Sequence, residues 1–328
     1  MNTKLRQRFV KDYNLPINIF DEEMFNYYKE LYDFFPTETW DKLNDMIKCD
    51  YRGNVDVWLD YCAEFRDRII DYISHSDEFL KFNTMDLSEY TKDRLICGEK
   101  SYYTEETDGK IFLSIDLKKA NFQALKYVGV IKENTYDELM DKFCANEYIK
   151  NSKYLRQVIF GKMNPGRTIT IEKYIMAKIH NWMKYWYKNL NEFFTLYSAN
   201  SDELVYELNI EKYNEFLASK PHDTFIVNIA YELREAEIIQ KRTIGIDIRC
   251  ELVKIERLPI VNCNDSKVDA FVRKNIVTGE SVLKKASTTF YPQIYKLWKG
   301  MEIEDRDLMV YFDDQLAKFL KPLILKEK

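Results

Sequence analysis

Apolar and aromatic residues recur at helical spacing in the first 95 residues of the chain. The clearest stretches are residues 20–35 and 55–73, each of which could bury one face of a helix. A polar stretch then runs from Gly98 to Asp108-Gly109, a dipeptide typical of tight turns. The pattern predicts a helical N-terminal region that ends at this turn.

The middle of the chain alternates short apolar runs with longer amphipathic stretches. Residues 110–116 are a short apolar run, which predicts a buried strand. Residues 193–199 and 203–208 predict two more strands, joined by a tight turn at Asn200-Ser201. Amphipathic spacing predicts five helices in the rest of this region, at residues 117–128, 135–144, 147–163, 169–190 and 210–217. Asn164-Pro165-Gly166 is the expected break before the fourth of them.

The pattern changes from residue 224 onward. Residues 224–231 and 244–255 are rich in β-branched residues, which favours strands, and residues 275–282 resemble a hairpin. Helices are predicted again at residues 292–298 and 305–320. These stretches predict a β-rich C-terminal part that ends in helices.

The order of these elements predicts an α+β fold. A boundary is expected near residues 217–224, where the pattern changes. The predicted parts are a helical region at 1–100, a core of helices around a small antiparallel sheet at 101–220, and an accessory α+β domain at 221–328. A chain of 328 residues with 46% hydrophobic residues is long enough for two packed units.

Cysteine and apolar patterns exclude several classes of protein. The six cysteines include no Cys-x-x-Cys spacing, so a zinc ribbon is not expected, and a long chain with a core needs no disulfide scaffold. The charged N-terminus lacks the apolar segment of a signal peptide, and no run of about 18 apolar residues predicts a membrane span. We expect a cytoplasmic protein without a membrane partner.

One segment of the chain is strongly basic although the chain is acidic overall. Residues 150–190 hold nine lysines and arginines, with Glu172 as their single acid, so this segment carries +8. The net charge of −5 then leaves −13 for the rest. Aromatic residues interleave with these cations, which favours an anion or nucleic-acid site over the alternative of a solvated helix face.

Two acidic residues lie at positions where a sheet could bring them together. Asp116 ends the predicted strand 110–116, and Asp202 lies at the tip of the predicted hairpin, followed by Glu203. Carboxylates at one sheet edge suit Mg²⁺, and two such ions support transfer of a phosphoryl group. Taken singly, an Asp after a strand is also a common helix cap, and an Asp-Glu pair in a turn commonly faces solvent.

Three segments around these acids resemble motifs A, B and C of family A DNA polymerases, the bacterial polymerase I and phage type. Residues 116–123, Asp-Leu-Lys-Lys-Ala-Asn-Phe-Gln, look like motif A. Residues 156–161, Arg-Gln-Val-Ile-Phe-Gly, are similar to motif B, and residues 201–207, Ser-Asp-Glu-Leu-Val-Tyr-Glu, to motif C. The segments follow the family's order, and the resemblance covers residues 105–210.

The resemblance implies a compact nucleotidyltransferase of the DNA polymerase type with a palm-like core and a thumb-like N-terminal region. Asp116 and Asp202 would bind two Mg²⁺ ions, for which Mn²⁺ can substitute, and Glu203 would support the metals or the primer end. Arg156 would contact the incoming nucleoside triphosphate. The other implied contacts are Lys153 and Phe160 with the nucleotide, Asn121 near its sugar, and Lys162, Arg167 and Lys173 with the primer and template.

The chain also departs from the family's motifs. Asn121 stands where the DNA enzymes have a ribose-excluding Glu, Asn164 where they have a Tyr, and Ser201 where they have a His. The interval between motifs B and C is also shorter than the family's.

These departures leave other functions open. A catalytically degenerate nucleic-acid-binding module is one alternative, and a structural protein whose basic helix binds an acidic partner is another. A protein partner for residues 221–328 is also expected, and the paired carboxylates leave glycosidase chemistry open.

Overall fold

The computed structural model describes residues 2–32, 37–92, 95, 97–312 and 315–326. Its α-helices are α1 (Thr3–Tyr13), α2 (Glu22–Leu31), α3 (Thr37–Asp50), α4 (Val55–Ser74), α5 (Asp77–Thr84), α6 (Ala120–Tyr127), α7 (Tyr136–Asp141), α8 (Glu147–Asn151), α9 (Lys153–Phe160), α10 (Pro165–Trp186), α11 (Lys188–Phe193), α12 (Ile210–Leu217), α13 (His222–Ile244) and α14 (Tyr291–Lys299). Its strands are β1 (Ile111–Leu117), β2 (Phe194–Ala199), β3 (Glu203–Leu208), β4 (Ile248–Arg257), β5 (Ile260–Asn262), β6 (Lys267–Val268), β7 (Phe271–Asn275), β8 (Ser281–Lys284), β9 (Met309–Phe312), β10 (Gln315–Lys318) and β11 (Leu323–Leu325).

The N-terminal region is helical, as predicted. Its helices begin at polar residues whose side chains accept hydrogen bonds from backbone N–H groups of the first turn, such as Asp21 before α2 and Asn54 before α4. The aromatic residues at helical spacing form the core between these helices, where Phe25 and Trp58 are fully buried. The predicted helices at residues 20–35 and 55–73 are confirmed as α2 and α4, with residues 33–36 outside the described part of the chain.

A six-stranded antiparallel sheet, in the order β2-β3-β1-β4-β7-β8, forms the centre of the fold. Strand β1 lies between β3 and β4, and the predicted hairpin of β2 and β3 is confirmed. Strands β4, β7 and β8 come from the C-terminal third of the chain. The same sheet therefore extends across the boundary expected near residues 217–224. With helices packed on an antiparallel sheet, the fold is α+β, as predicted.

The two faces of β1 have different surroundings. Leu113, Ile115 and Leu117 point into the main core, which helices α6, α10 and α13 cover. Phe112 lies on the opposite face in a smaller apolar cluster with Tyr102. Side chains alternate along a strand, so Asp116 belongs to the Phe112 face of the sheet.

The C-terminal third differs from its prediction in two places. Residues 224–231 belong to helix α13, which buries Phe225, Ile229 and Leu233 on one face at helical spacing. This packing overrides the β-branched composition of the segment. The helix expected at residues 305–320 is wrong: a short 3₁₀ turn at Asp305–Leu308 leads into the β9–β10 hairpin. Among the described residues, α14 is therefore followed by a 3₁₀ turn and strands β9–β11, and by no further α-helix.

Candidate functional site

A cleft of about 550 Å³ opens at the end of β1. Six of the residues proposed from the sequence line it: Asp116, Asn121, Lys153, Arg156, Phe160 and Asp202. They come from β1, from helices α6 and α9, and from the turn between β2 and β3. The three segments that resemble polymerase motifs therefore meet around one cavity.

Asp116 is held at the cleft by the register of the sheet. Its Cα is paired with that of Glu203 on β3 and with that of Arg249 on β4. The chain then turns sharply at Lys119, whose φ of 52° lies in the left-handed region, before α6 begins. This turn places Asn121 on the cleft next to the strand end.

Asp202 lies in the tight turn that joins β2 and β3. The side-chain oxygen of Asn200 accepts hydrogen bonds from the backbone N–H groups of Asp202, at 3.0 Å, and Glu203, at 2.6 Å. The carbonyl oxygen of Asp202 accepts from the N–H of Leu117 at 2.8 Å. The turn is therefore attached directly to the end of β1, beside Asp116.

The surroundings raise the pKa values of both aspartates. Burial raises the pKa of Asp116, and the charges of Asp202 and Glu203 raise it further, while the Arg249 guanidinium at 3.4 Å acts in the opposite direction. Burial also raises the pKa of Asp202, followed by the charge of Glu203. Carboxylates that repel each other in a partly buried cleft are stabilised as anions by a bound cation.

Glu203 occupies a different position from the two aspartates. Its carboxylate accepts a hydrogen bond from the hydroxyl of Ser114, at 2.6 Å, and from that of Tyr102, at 2.9 Å. It does not line the cleft. In this structure Glu203 therefore affects the metal-binding candidates through its charge, from the Phe112 face of the sheet.

Helix α9 supplies two cations to the cleft, Lys153 and Arg156. Its N-cap is Ser152, which accepts a hydrogen bond from the N–H of Leu155 and donates one to the fully buried Asp12 on α1. The guanidinium carbon of Arg156 lies 5.9 Å from the centre of the Tyr136 ring. The orientation of α9 toward the aspartates thus depends on a contact with the N-terminal helices.

Phe160 lines the cleft but leaves only 1% of its surface exposed. Its ring packs against the rings of Phe122 and Tyr136, with centroids 6.2 and 6.3 Å away. The expectation that Phe160 would pack against a nucleotide is therefore not met in this structure. Its ring belongs to the hydrophobic core between α6 and α9.

Lys162, Arg167 and Lys173, expected to bind the primer and template, lie outside the cleft. Arg167 donates a hydrogen bond to the carbonyl oxygen of Met85 and lies over the Phe82 ring, so it joins α10 to α5. Lys162 is exposed, and Lys173 lines a separate cavity with Cys97. Among the cations of residues 150–190 whose side chains the structure describes, only Lys153 and Arg156 line the cleft.

Four polar residues of the cleft were not proposed from the sequence: Lys118, Lys119, Gln157 and Arg249. Lys118 and Lys119 follow Asp116 directly, so their position after the strand was an available signal. Gln157 follows Arg156 in α9. Arg249 reaches the cleft only because β4 pairs with β1, and no local pattern indicates that pairing.

A further carboxyl group, that of Glu172 on α10, lies beneath the turn that carries Asp202. It is 3% exposed, and its Oε1 atom has no hydrogen-bond partner among the described residues. Burial raises its pKa to about 7, the charge of Asp202 raises it too, and a hydrogen bond from Ser201 opposes the shift. The single acid of the basic segment is thus a buried neighbour of the cleft.

The cleft fits a hard divalent cation only if the substrate completes its coordination. Within the part of the chain that the structure describes, no three His, Cys, Asp or Glu side chains are grouped closely enough to hold a metal ion. Asp116 and Asp202 alone would provide the protein ligands. Mg²⁺ commonly binds through one or two carboxylates together with water and substrate phosphates, so this donor set is compatible with it.

No helix among the described residues is both long enough and apolar enough to cross a membrane. The chain matches no protein-family model, no curated protein and no solved structure.

Proposed function

We propose that the protein is a nucleotidyltransferase that adds nucleotides to the 3′ end of a nucleic-acid primer. The observation that carries this proposal is the composition of one cleft. Asp116 and Asp202 share it with five cations: Lys118, Lys119, Lys153, Arg156 and Arg249. A site for a metal–triphosphate complex needs carboxylates for the metal and cations for the phosphates in this arrangement.

Asp116 and Asp202 would hold the Mg²⁺ ions of the reaction. The bound ions would activate the primer hydroxyl and neutralise charge on the departing pyrophosphate. The raised pKa values of both aspartates, caused first by burial and then by neighbouring carboxylate charge, support this role, because a bound cation stabilises the charged form of each carboxyl group. Glu203, fixed by Ser114 and Tyr102, adds negative charge behind the pair.

The cations of the cleft would bind the triphosphate. Lys153 and Arg156 approach from α9, while Lys118 and Lys119 follow Asp116 along the chain. The primer 3′ oxygen forms a bond to the α-phosphorus, the bond from that phosphorus to the bridging oxygen breaks, and pyrophosphate leaves. The hydroxyl proton passes to solvent. Fixed positive charges near the leaving group stabilise the transition state.

The nucleotide and the primer define the partners of this proposal. Asn121 lines the cleft beside Asp116, so it is the candidate contact for the sugar of the incoming nucleotide. Templated DNA synthesis is the form of the reaction that the motif resemblance favours. A template-dependent sequence of incorporation is the corresponding expectation. Because Asn121 replaces the ribose-excluding Glu, separate reactions with deoxynucleotides and ribonucleotides decide which sugar is used.

Primer extension tests the proposal directly. The assay contains a labelled primer–template duplex, deoxynucleotides or ribonucleotides in separate reactions, and Mg²⁺, Mn²⁺ or a chelator. We expect metal-dependent extension by the wild type and its loss in Asp116→Ala and Asp202→Ala. Asp60→Ala, at an exposed position of α4, is the matched control that should retain full activity.

The same variants separate catalysis from binding. Salt-dependent binding of nucleic acid without extension under any metal condition would overturn the catalytic proposal and support a degenerate binding module. Equal incorporation by the wild type and both aspartate variants would also overturn it. Arg156→Ala should raise the KM for the nucleotide, because it removes a cation from the cleft and leaves both carboxylates in place.

A further inference from the structure

Helix α13 presents an exposed stripe of apolar residues on the side opposite the core. Val227 and Tyr231 are each 65% exposed and Ile238 is 43% exposed, while Phe225, Ile229 and Leu233 are buried on the other side. Spacings of four and seven residues place the exposed three on one helical face. A row of exposed apolar side chains on a helix of 23 residues is typical of an interface.

The same face of α13 is acidic at its N-terminal end and basic toward its C-terminal end. Asp223 lies at its N-terminal end, Arg234 near its middle and Arg242 at its C-terminal end, and all three are exposed. In the described part of the chain, none of them forms an ion pair or a side-chain hydrogen bond. The acidic end and the basic end of the face are thus both available to a partner.

The face is complementary to itself when a second copy lies antiparallel to it. With the two-fold axis near Glu232, Val227 of each copy faces Ile238 of the other, and Tyr231 faces Arg234. Asp223 of each copy then faces Arg242 of the other, at both ends of the contact. All three pairs are centred on the same point of the helix, which is the condition for a two-fold interface.

We propose that the chain forms a homodimer through antiparallel packing of its α13 helices. The contact from residue 223 to residue 242 is about 28 Å long at 1.5 Å per residue. Two further exposed aromatic residues, Tyr185 and Trp186, lie at the end of α10. They lie next to Tyr187, whose pKa is raised by burial and then by the charge of Glu235 on α13.

This interface does not depend on the proposed nucleotidyl transfer, because its residues lie outside the catalytic cleft. A single helix pair buries less than the about 800 Å² per partner of a standard stable interface. We therefore expect a reversible dimer with a Kd on the order of micromolar.

Sedimentation velocity on the full chain, from roughly 1 to 200 µM, measures this equilibrium. We expect the wild type to pass from monomer to dimer with concentration. Val227→Glu and Ile238→Glu should stay monomeric throughout, with unchanged far-UV circular dichroism, because both positions are exposed. Leu80→Glu, at a 55% exposed position on α5, is the matched control and should dimerise as the wild type does.

Charge exchange tests the antiparallel arrangement itself. Asp223→Arg or Arg242→Asp alone should weaken the dimer on the order of tenfold, because like charges then meet at both ends. An equimolar mixture of the two variants should recover wild-type affinity as a heterodimer, because each end again pairs an Arg with an Asp. A mixture that stays as weak as the single variants would overturn the antiparallel geometry. A wild type that remains monomeric at all concentrations would overturn the dimer.

Discussion

The hydroxyl of Ser114 donates a 2.6 Å hydrogen bond to the carboxylate of Glu203 on the neighbouring strand. Ser114 lies two residues before Asp116 on the same face of β1, and Glu203 is the register partner of Asp116. The bond therefore links the strand that carries Asp116 to the strand that begins directly after Asp202. It holds Glu203 beside the cleft without placing it in the cleft wall.

Replacing this hydroxyl should destabilise the protein. Ser114 is 1% exposed, so Ser114→Ala removes a donor to Glu203 that water cannot easily replace. Hydrogen bonds to charged groups contribute about 1.5–3 kcal/mol, and we expect a loss of about 1–2 kcal/mol because Tyr102 still donates to Glu203. Urea denaturation measures it, with Ser281→Ala on edge strand β8 as the control. Equal unfolding midpoints for the two variants would contradict a role for the bond.

The buried carboxylate of Asp12 should contribute more to the free energy of unfolding than the hydroxyl of Ser114 does. It is fully buried and accepts hydrogen bonds from Arg8, from Tyr148 at 2.7 Å and from Ser152, the N-cap of α9. Asp12→Ala leaves the largely buried Arg8 guanidinium without its partner, which costs about 3–5 kcal/mol in comparable sites. Thermal and urea unfolding check this value.

The control for Asp12 is Asp56→Ala. Asp56 pairs with Lys4 at 2.9 Å, but both side chains are about two-thirds exposed. Exposed pairs contribute about 0–1 kcal/mol, so this variant should unfold almost as the wild type does. Similar losses of unfolding free energy in Asp12→Ala and Asp56→Ala would mean that burial does not determine how much each ion pair stabilises the protein.

The sequence predicted the elements of the cleft that depend on neighbouring residues. An apolar run that ends at Asp116 forms a strand, Asn200 closes the turn that carries Asp202, and Pro165 begins α10. Each follows from local rules of turns and caps, which need no knowledge of the rest of the chain. Because all three lie near the motifs, the sequence located most of the cleft.

Features that depend on distant pairing could not be predicted from local patterns. Arg249 reaches Asp116 through a strand pair separated by 133 residues, and Ser152 reaches Asp12 across 140. The prediction for residues 224–231 was wrong for a different reason: their β-branched composition suggested strands, but they form part of a helix. The spacing of Phe225, Ile229 and Leu233 in α13 was the signal for a helix in that segment.

Arg249 should set the pH range over which Asp116 can bind a cation. Burial raises the pKa of Asp116, and the Arg249 guanidinium opposes that shift. Arg249→Gln removes the opposing charge, so the carboxyl should stay protonated to a higher pH. Because Mg²⁺ binds the carboxylate, the acid limb of Mg²⁺ affinity should move to higher pH, as measured by calorimetry across a pH series. Lys254→Gln, on the same strand, should leave the profile unchanged, and an unshifted profile for Arg249→Gln would contradict the assignment.

Glu172 should make the stability of the protein depend on pH. Its pKa is about 7 in the folded state against 4.5 for an ordinary glutamate, mainly because it is buried. The folded state therefore binds this proton more tightly than the unfolded state does. The resulting stabilisation of the folded state is fully present below about pH 4.5 and is lost as the pH rises through 7. A shift of this size corresponds to about 3 kcal/mol.

The variant Glu172→Gln tests this dependence, because its side chain is neutral at every pH. Its free energy of unfolding should match that of the wild type near pH 4.5 and exceed it by up to about 3 kcal/mol at pH 8. Urea denaturation in the presence of a chelator, with Glu64→Gln at an exposed position of α4 as the control, measures the difference. Parallel curves for the wild type and Glu172→Gln from pH 5 to 8 would show that this carboxyl does not titrate in that range.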